Sequence, residues 1–225
     1  MNKLRNLNDL NEGIHKHWIW GNEDNYYRSC DYLQKVSNCI QDLNGEIDKI
    51  LKPSMKEVVY VIVLIDWVCE ATKGIFELLK DNNILSNYCC KNNEEINNAE
   101  RFFKAIRSFV VAHPLSTNRH EHYGFDGDLI CVDIRDKTSP ITKAFYPDSN
   151  WFCLSLDGLK ENTSKRETDF ILYVYSKKID GMKFYKYIGV DFKDLYYVAE
   201  LQIEKLYELA EYLNKLKKKD FEVRT

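Results

Sequence analysis

The sequence predicts an α+β protein: a mainly α-helical bundle with a small antiparallel β region in the C-terminal half and a long C-terminal helix. Apolar residues recur at helical spacing through four long segments, at about 3.6 residues per turn. In the second half the period changes, because Ile130, Val132 and Ile134 alternate in LICVDIRD, and two β-rich runs flank Asp180 and Gly181. No internal repeat or low-complexity linker separates the two patterns. We therefore expect a helical bundle over 1–123 and a β insertion plus C-terminal helix over 124–225, packed together as one domain.

Taken in order, a first helix is expected within Asn2 to Ile14, followed by a loop around Trp20 to Asp24. The next helix runs from about Tyr26 to Leu51, burying Tyr32, Val36, Cys39, Ile40 and Leu43, and Pro53 marks its end. Ser54, with Glu57 three residues on, is a capping box opening a helix that reaches about Lys80. Its first half, VVYVIVLI, is apolar on all sides. β-branched residues would also suit a strand there, and the length of the pattern decides for helix. Asp81 to Asn98 reads as a loop with room for one short helical turn. A helix from near Glu94 then carries Ile96, Ala99, Phe102, Phe103, Ile106, Phe109 and Val110 on one face, and His113 falls on the same stripe. Pro114 biases His113 out of the α region, so the helix stops there.

Short strands follow at LICVDIRD and Trp151 to Leu156. DFILYVYSKK and MKFYKYIGV form a hairpin closed by a two-residue turn at Asp180 and Gly181. The last helix, Phe192 to Lys219, buries Val198, Leu201, Ile203, Leu206, Leu209 and Leu213. Lys217 to Asp220 would place cations on its last turn, where they favour the helix dipole.

An apolar fraction of 44% with 13% aromatics excludes disorder as the main state. The net charge of −3 provides no global cationic field, so any nucleic-acid site must be local. Seven cysteines, Cys30, Cys39, Cys69, Cys89, Cys90, Cys131 and Cys153, form no even framework, which suits buried reduced thiols in a cytoplasmic protein. Cys89 and Cys90 lack zinc-ligand spacing. MNKLRNLNDLNEG lacks the apolar core of a signal peptide, and the most apolar run, Val58 to Cys69, is too short to cross a bilayer. We expect no membrane association.

Arg107 and His113 are the leading candidates for chemistry. They lie roughly 120° apart on an ideal helix at about 100° per residue, so they share one groove only if the helix end distorts. RNA can be cut without metal, because its own 2′-hydroxyl attacks the adjacent phosphate. Histidine, with a reference pKa near ~6.5, suits the proton transfers, and the planar guanidinium fork suits the phosphoryl oxygens. The alternative is structural, with His113 capping its own helix.

The spacing Arg107-x5-His113 resembles the Arg-x4-6-His motif of the HEPN superfamily, all-helical domains found in many metal-independent ribonuclease toxins and defence proteins. The resemblance covers at most Tyr26 to His122, with or without the final helix. It implies a HEPN-like core, no cofactor or catalytic metal, an RNA substrate, and a homodimer in which two motifs complete one cleft. An antitoxin or regulatory protein is a partner of the same implied setting. Ser108 follows the arginine where many active members carry a longer polar residue such as asparagine. The run VVAHPLSTNRH also resembles uncharacterised proteins of bacteria and their mobile elements, which implies no biochemistry.

Around this pair, Asp66 begins a polar stripe with Glu70, Lys73 and Glu77. A partly buried Asp66 would require a cation, for which Arg107 is the candidate. The stripe is otherwise a solvated face. Asn118, Arg119 and His120 follow the catalytic helix and suit substrate phosphates. His120 and His122, with Asp126 or Asp128, would alternatively make a metal site and a metal-dependent hydrolase. Tyr173, Tyr175, Tyr185 and Tyr187 could stack bases, though strand packing accounts for them equally. The competing function is a noncatalytic dimeric binding or regulatory protein of a mobile element.

Overall fold

Short polar side chains reshape the N-terminus. A helix is expected over Asn2 to Ile14, but the computed structural model has a 3₁₀ turn at Asn8–Leu10 and a single α turn, α1 (Asn11–Ile14). Asn6 accepts the backbone N–H of Asn8 at 3.1 Å, and Asn44 clamps Leu4 through both its backbone groups, at 2.7 and 2.9 Å. Such bonds offer the backbone an alternative to the helical ladder. The structure describes residues 1–50, 53–112, 128–135, 151–161, 168–177 and 183–218, with side chains except at 11–12, 112, 128–135, 151, 161, 173–177 and 183–186.

The expected loop at Trp20 begins as a 3₁₀ turn, His17–Trp20, with Ile19 and Trp20 fully buried. Gly21 follows at φ 75°, and a Cβ there would also stand 2.7 Å from the Asn82 side chain. Helix α2 (Glu23–Glu46) starts earlier than Tyr26 because Asn22 caps it, accepting the Asn25 N–H at 2.7 Å. It ends at Glu46, short of Leu51. Leu33, Val36, Cys39, Ile40 and Leu43 are buried, and Tyr32 is half-buried.

Helix α3 (Met55–Asp81) opens on the expected capping box. The Glu57 carboxylate accepts the Ser54 backbone N–H at 2.6 Å and also the Ser54 hydroxyl. Those bonds, led by the one from the hydroxyl, hold Glu57 below the usual carboxylate range. The apolar first half is not buried on all sides, since Tyr60 is exposed; beyond it Trp67 is exposed too, with the Lys35 ammonium 3.4 Å from its ring centroid. A 3₁₀ turn at Ile84–Asn87 leads to α4 (Asn93–Arg107), which widens into a π turn over Ser108–Ala112.

Strands β1 (Asp128–Arg135), β2 (Trp151–Ser155), β3 (Gly158–Glu161), β4 (Phe170–Lys177) and β5 (Lys183–Val190) form one sheet in the order β1-β4-β5-β2-β3. The β4–β5 hairpin is antiparallel from Phe170 opposite Val190 to Lys177 opposite Lys183, and its expected turn at Asp180 and Gly181 lies outside the described residues. The sheet is mixed instead of antiparallel, because β2 pairs in parallel with β5. With β4 on one edge of β5, β2 takes the other and turns back through its own partner β3.

Helix α5 (Phe192–Lys215) begins two residues after β5, where the Asp169 carboxylate accepts the Phe192 N–H at 2.8 Å and supplies the cap. All six expected core positions, Val198, Leu201, Ile203, Leu206, Leu209 and Leu213, are buried. The helix stops at Lys215, so Lys217 and Lys218 follow it and do not sit on its last turn.

The chain divides into two compact units. One comprises Met1, Glu46–Val63 and Asn97–Val198; the other comprises Asn2–Gly45, Leu64–Ile96 and Ala199–Thr225. In the first, Phe170 and Phe192 pack with ring centroids 5.2 Å apart, and Ile171, Leu172, Ile188 and Val190 are fully enclosed. In the second, helix faces close over Ile14, Ile19, Trp20, Leu43, Ile75 and Leu206. The N-terminal segment is tied down there, because the Tyr207 hydroxyl donates to Asn6 O at 2.6 Å and the Arg5 guanidinium lies 3.4 Å from the Tyr207 ring centroid. Among the described residues, no helix is long and apolar enough to cross a membrane.

Candidate functional site

Arg107 is the last α-helical residue of α4, and its position follows from the helix pattern. Ile96, Ala99, Phe102, Phe103, Ile106 and Phe109 are all buried on the expected stripe, which leaves Arg107 half-buried on the flank. Arg101 and Lys104 precede it at three-residue intervals and are exposed, so three cations wind about 120° around α4 over about 9 Å, at ~100° and ~1.5 Å per residue. Glu100 offsets part of this charge, pairing with Lys104 at 3.1 Å. Arg101 and Arg107 each have a partner as well. The row is the kind of local cationic feature that an otherwise acidic chain needs to hold an anion.

Immediately after Arg107 the α ladder gives way to the π turn Ser108–Ala112. Turns of this type are rare and occur often at functional sites. A departure from α geometry between Arg107 and His113 is also what a shared groove demands. His113, Asn118, Arg119 and His120 lie outside the described residues, as do His122 and Asp126. Ser108 is fully buried, so it can act on its surroundings only from within the protein and presents no surface for substrate.

Asp66 is half-buried on α3 and has a partner, whereas Glu70, Lys73 and Glu77 are exposed. Lys73 and Glu77 form a surface pair at 3.6 Å, as a solvated stripe would. Asp66 belongs to the Leu64–Ile96 segment of one unit and Arg107 to the Asn97–Val198 segment of the other.

Of the hairpin tyrosines, Tyr187 is 5% exposed, which makes it a packing residue and no platform for bases. The side chains of Tyr173, Tyr175 and Tyr185 lie outside the description. Cys39 is buried, but Cys69 is half-buried and Cys89 exposed, and all six described cysteines are free thiols. Among the described residues, no group of three or more His, Cys, Asp or Glu side chains is arranged to hold a metal ion.

One polar cluster has no counterpart in the sequence reading. His15 and Cys30 meet from two different elements, 15 positions apart, a separation with no helical or strand periodicity to announce it. Tyr26, four residues before Cys30 on α2, completes it.

No protein-family model, curated protein or solved structure matches this chain.

Proposed function

We propose that this protein is a metal-independent endoribonuclease acting at the C-terminal end of α4. Arg107 binds the scissile phosphate and the charge that develops on it, and His113 moves the proton between the 2′-hydroxyl and the leaving 5′-oxygen. Asn118, Arg119 and His120 bind flanking phosphates. The active form is a homodimer, with a defence or toxin role and an antitoxin or regulatory partner.

The observation that carries the reading is the run of three cations, Arg101, Lys104 and Arg107, on the last turns of α4, ending where the helix changes to a π turn. A cation row at the surface suits a polyanion. A departure from α geometry after Arg107 supports the reading, because an ideal helix would hold the pair apart.

The test is purified protein incubated with total RNA, with and without chelator. Expected are cleavage that persists in EDTA, cyclic-phosphate ends, and intact DNA. Arg107→Ala should lower the rate by about 10²–10³ and His113→Ala by about 10²–10⁴. Unchanged cleavage in both variants moves the chemistry elsewhere, and no cleavage by the wild-type dimer leaves a noncatalytic binding protein.

A further inference from the structure

We propose that Cys30, His15 and Tyr26 form a reactive-thiol site that undergoes exchange with small disulfides. The site is independent of the nuclease reading and lies wholly within the Asn2–Gly45 segment of its unit. Its parts are held from both sides. His15 stands on the bend between α1 and the His17–Trp20 turn, and the Trp20 indole closes that bend by donating to Ile14 O at 2.9 Å. Ile14 and Trp20 are themselves fully buried. The cap at Asn22 fixes the start of α2 and thereby the helical positions of Tyr26 and Cys30. The Tyr26 ring packs edge-on against His17 with centroids 5.2 Å apart.

Within this frame the Cys30 sulfur lies 3.6 Å from His15 Nδ1, and Tyr26 stands one helical turn before Cys30 on the same face of α2. A thiol is a poor nucleophile and a thiolate a good one, so a nearby proton acceptor sets reactivity. Burial holds His15 below the ordinary histidine value, which keeps its ring unprotonated at neutral pH. With the ring proton on Nε2, Nδ1 is free to accept from Sγ–H. The charge on Cys30 leads in pushing the Tyr26 phenol up, so the phenol stays protonated. Once the proton has moved, the imidazolium donates to the thiolate.

The exchange is balanced without a further reactant. The Cys30 thiolate attacks one sulfur of the disulfide, a new S–S bond forms as the old one breaks, and the departing thiolate takes the proton from His15. Acyl transfer would require donors for an oxyanion, whereas here the negative charge passes from sulfur to sulfur. Cys30 and His15 are half-buried, which admits a small molecule. Two other thiols serve as internal references. Cys39 is buried and its thiol is pushed up chiefly by that burial, whereas Cys89 is exposed.

The experiment treats the full chain at neutral pH with 2-hydroxyethyl disulfide and follows each cysteine by peptide mass spectrometry. Cys30 should react about tenfold faster than Cys89, and Cys39 should be the slowest. His15→Asn and Tyr26→Phe should each slow Cys30 several-fold and leave the Cys89 rate unchanged. Circular dichroism checks that both variants fold, and Tyr26→Phe alone decides if His15→Asn does not. The proposal is overturned if Cys30 reacts no faster than Cys89, or if neither folded variant slows it.

Discussion

Replacing Gly189 with alanine puts a methyl group into the centre of the sheet, where the packing leaves no room for it. Gly189 lies on β5, opposite Ile171 of β4 on one side and Cys153 of β2 on the other. A Cβ at this position would overlap Thr168 Oγ1 and stand 2.6 Å from its Cγ2 and 2.9 Å from its Cβ. Comfortable separations between carbon atoms are about 3.5–4.0 Å. Rotating Thr168 would relieve the first two contacts, but its Cβ moves only with the backbone. The next residue pins that backbone, because Asp169 donates its N–H to Val190 O at 3.1 Å and accepts from Phe192 N at 2.8 Å. Overpacking of this kind costs about 1–3 kcal/mol, and the stiffer unfolded chain of an alanine variant returns only about 0.4–1. The net loss of about 1–2 kcal/mol should lower Tm by about 2–8 °C for a chain of this length. Thermal unfolding followed by circular dichroism measures it, in a cycle with Thr168→Ala. The double variant should fall short of additivity by at least about 0.5 kcal/mol. A Tm that stays level or rises in Gly189→Ala, or strict additivity in the cycle, refutes the steric argument.

The other predictions concern helix packing and charge. Gly74 on α3 lies under the Tyr32 ring, with its would-be Cβ 2.8 Å from two ring atoms. Gly74→Ala should therefore change stability little in the wild type and raise it by about 1 kcal/mol in a Tyr32→Ala background, read by urea midpoints. Glu204 is exposed, but partial desolvation by its neighbours, and then the carboxylates of Glu200, Glu208 and Glu95, raise it above the usual carboxylate range. A raised carboxyl stabilises the fold while protonated and loses that contribution as pH climbs through its folded value, so Glu204→Gln should raise Tm at pH 7. The gain should fade toward pH 4 and shrink in high salt. Arg107→Lys should leave Tm within about 2 °C of wild type and lower RNA cleavage by at least about tenfold.

The elements legible in the sequence are those whose own side chains decide them. Periodicity marks the buried faces of α4 and α5, and Ser54 with Glu57 announces the start of α3, because each signal lies within a turn or two of helix. The N-terminal helix fails because Asn44, 40 residues away from Leu4, takes over that backbone. The four residues of β3 are too short to show alternation, and the parallel pairing of β2 with β5 depends on which sheet edge is open, a property no local pattern records. At the candidate site, the flank position of Arg107 is readable from helical spacing. The full burial of Ser108 is not, because a serine just past Arg107 carries no signal of it in the sequence.

Arg107 has two possible duties, and their energies differ enough to separate them. As a cation in the last turn of α4 it meets the negative end of the helix dipole, an effect of about 0.3–1 kcal/mol that any positive side chain supplies. As a phosphate ligand it presents a rigid fork of parallel donors, which an ammonium cannot reproduce. Lysine keeps the first and loses the second. A variant whose Tm holds while cleavage drops therefore assigns Arg107 to substrate, because a purely structural cation would move the two quantities together. If Arg107→Lys cleaves RNA as fast as wild type, the fork is not used and the cation row on α4 serves the helix alone.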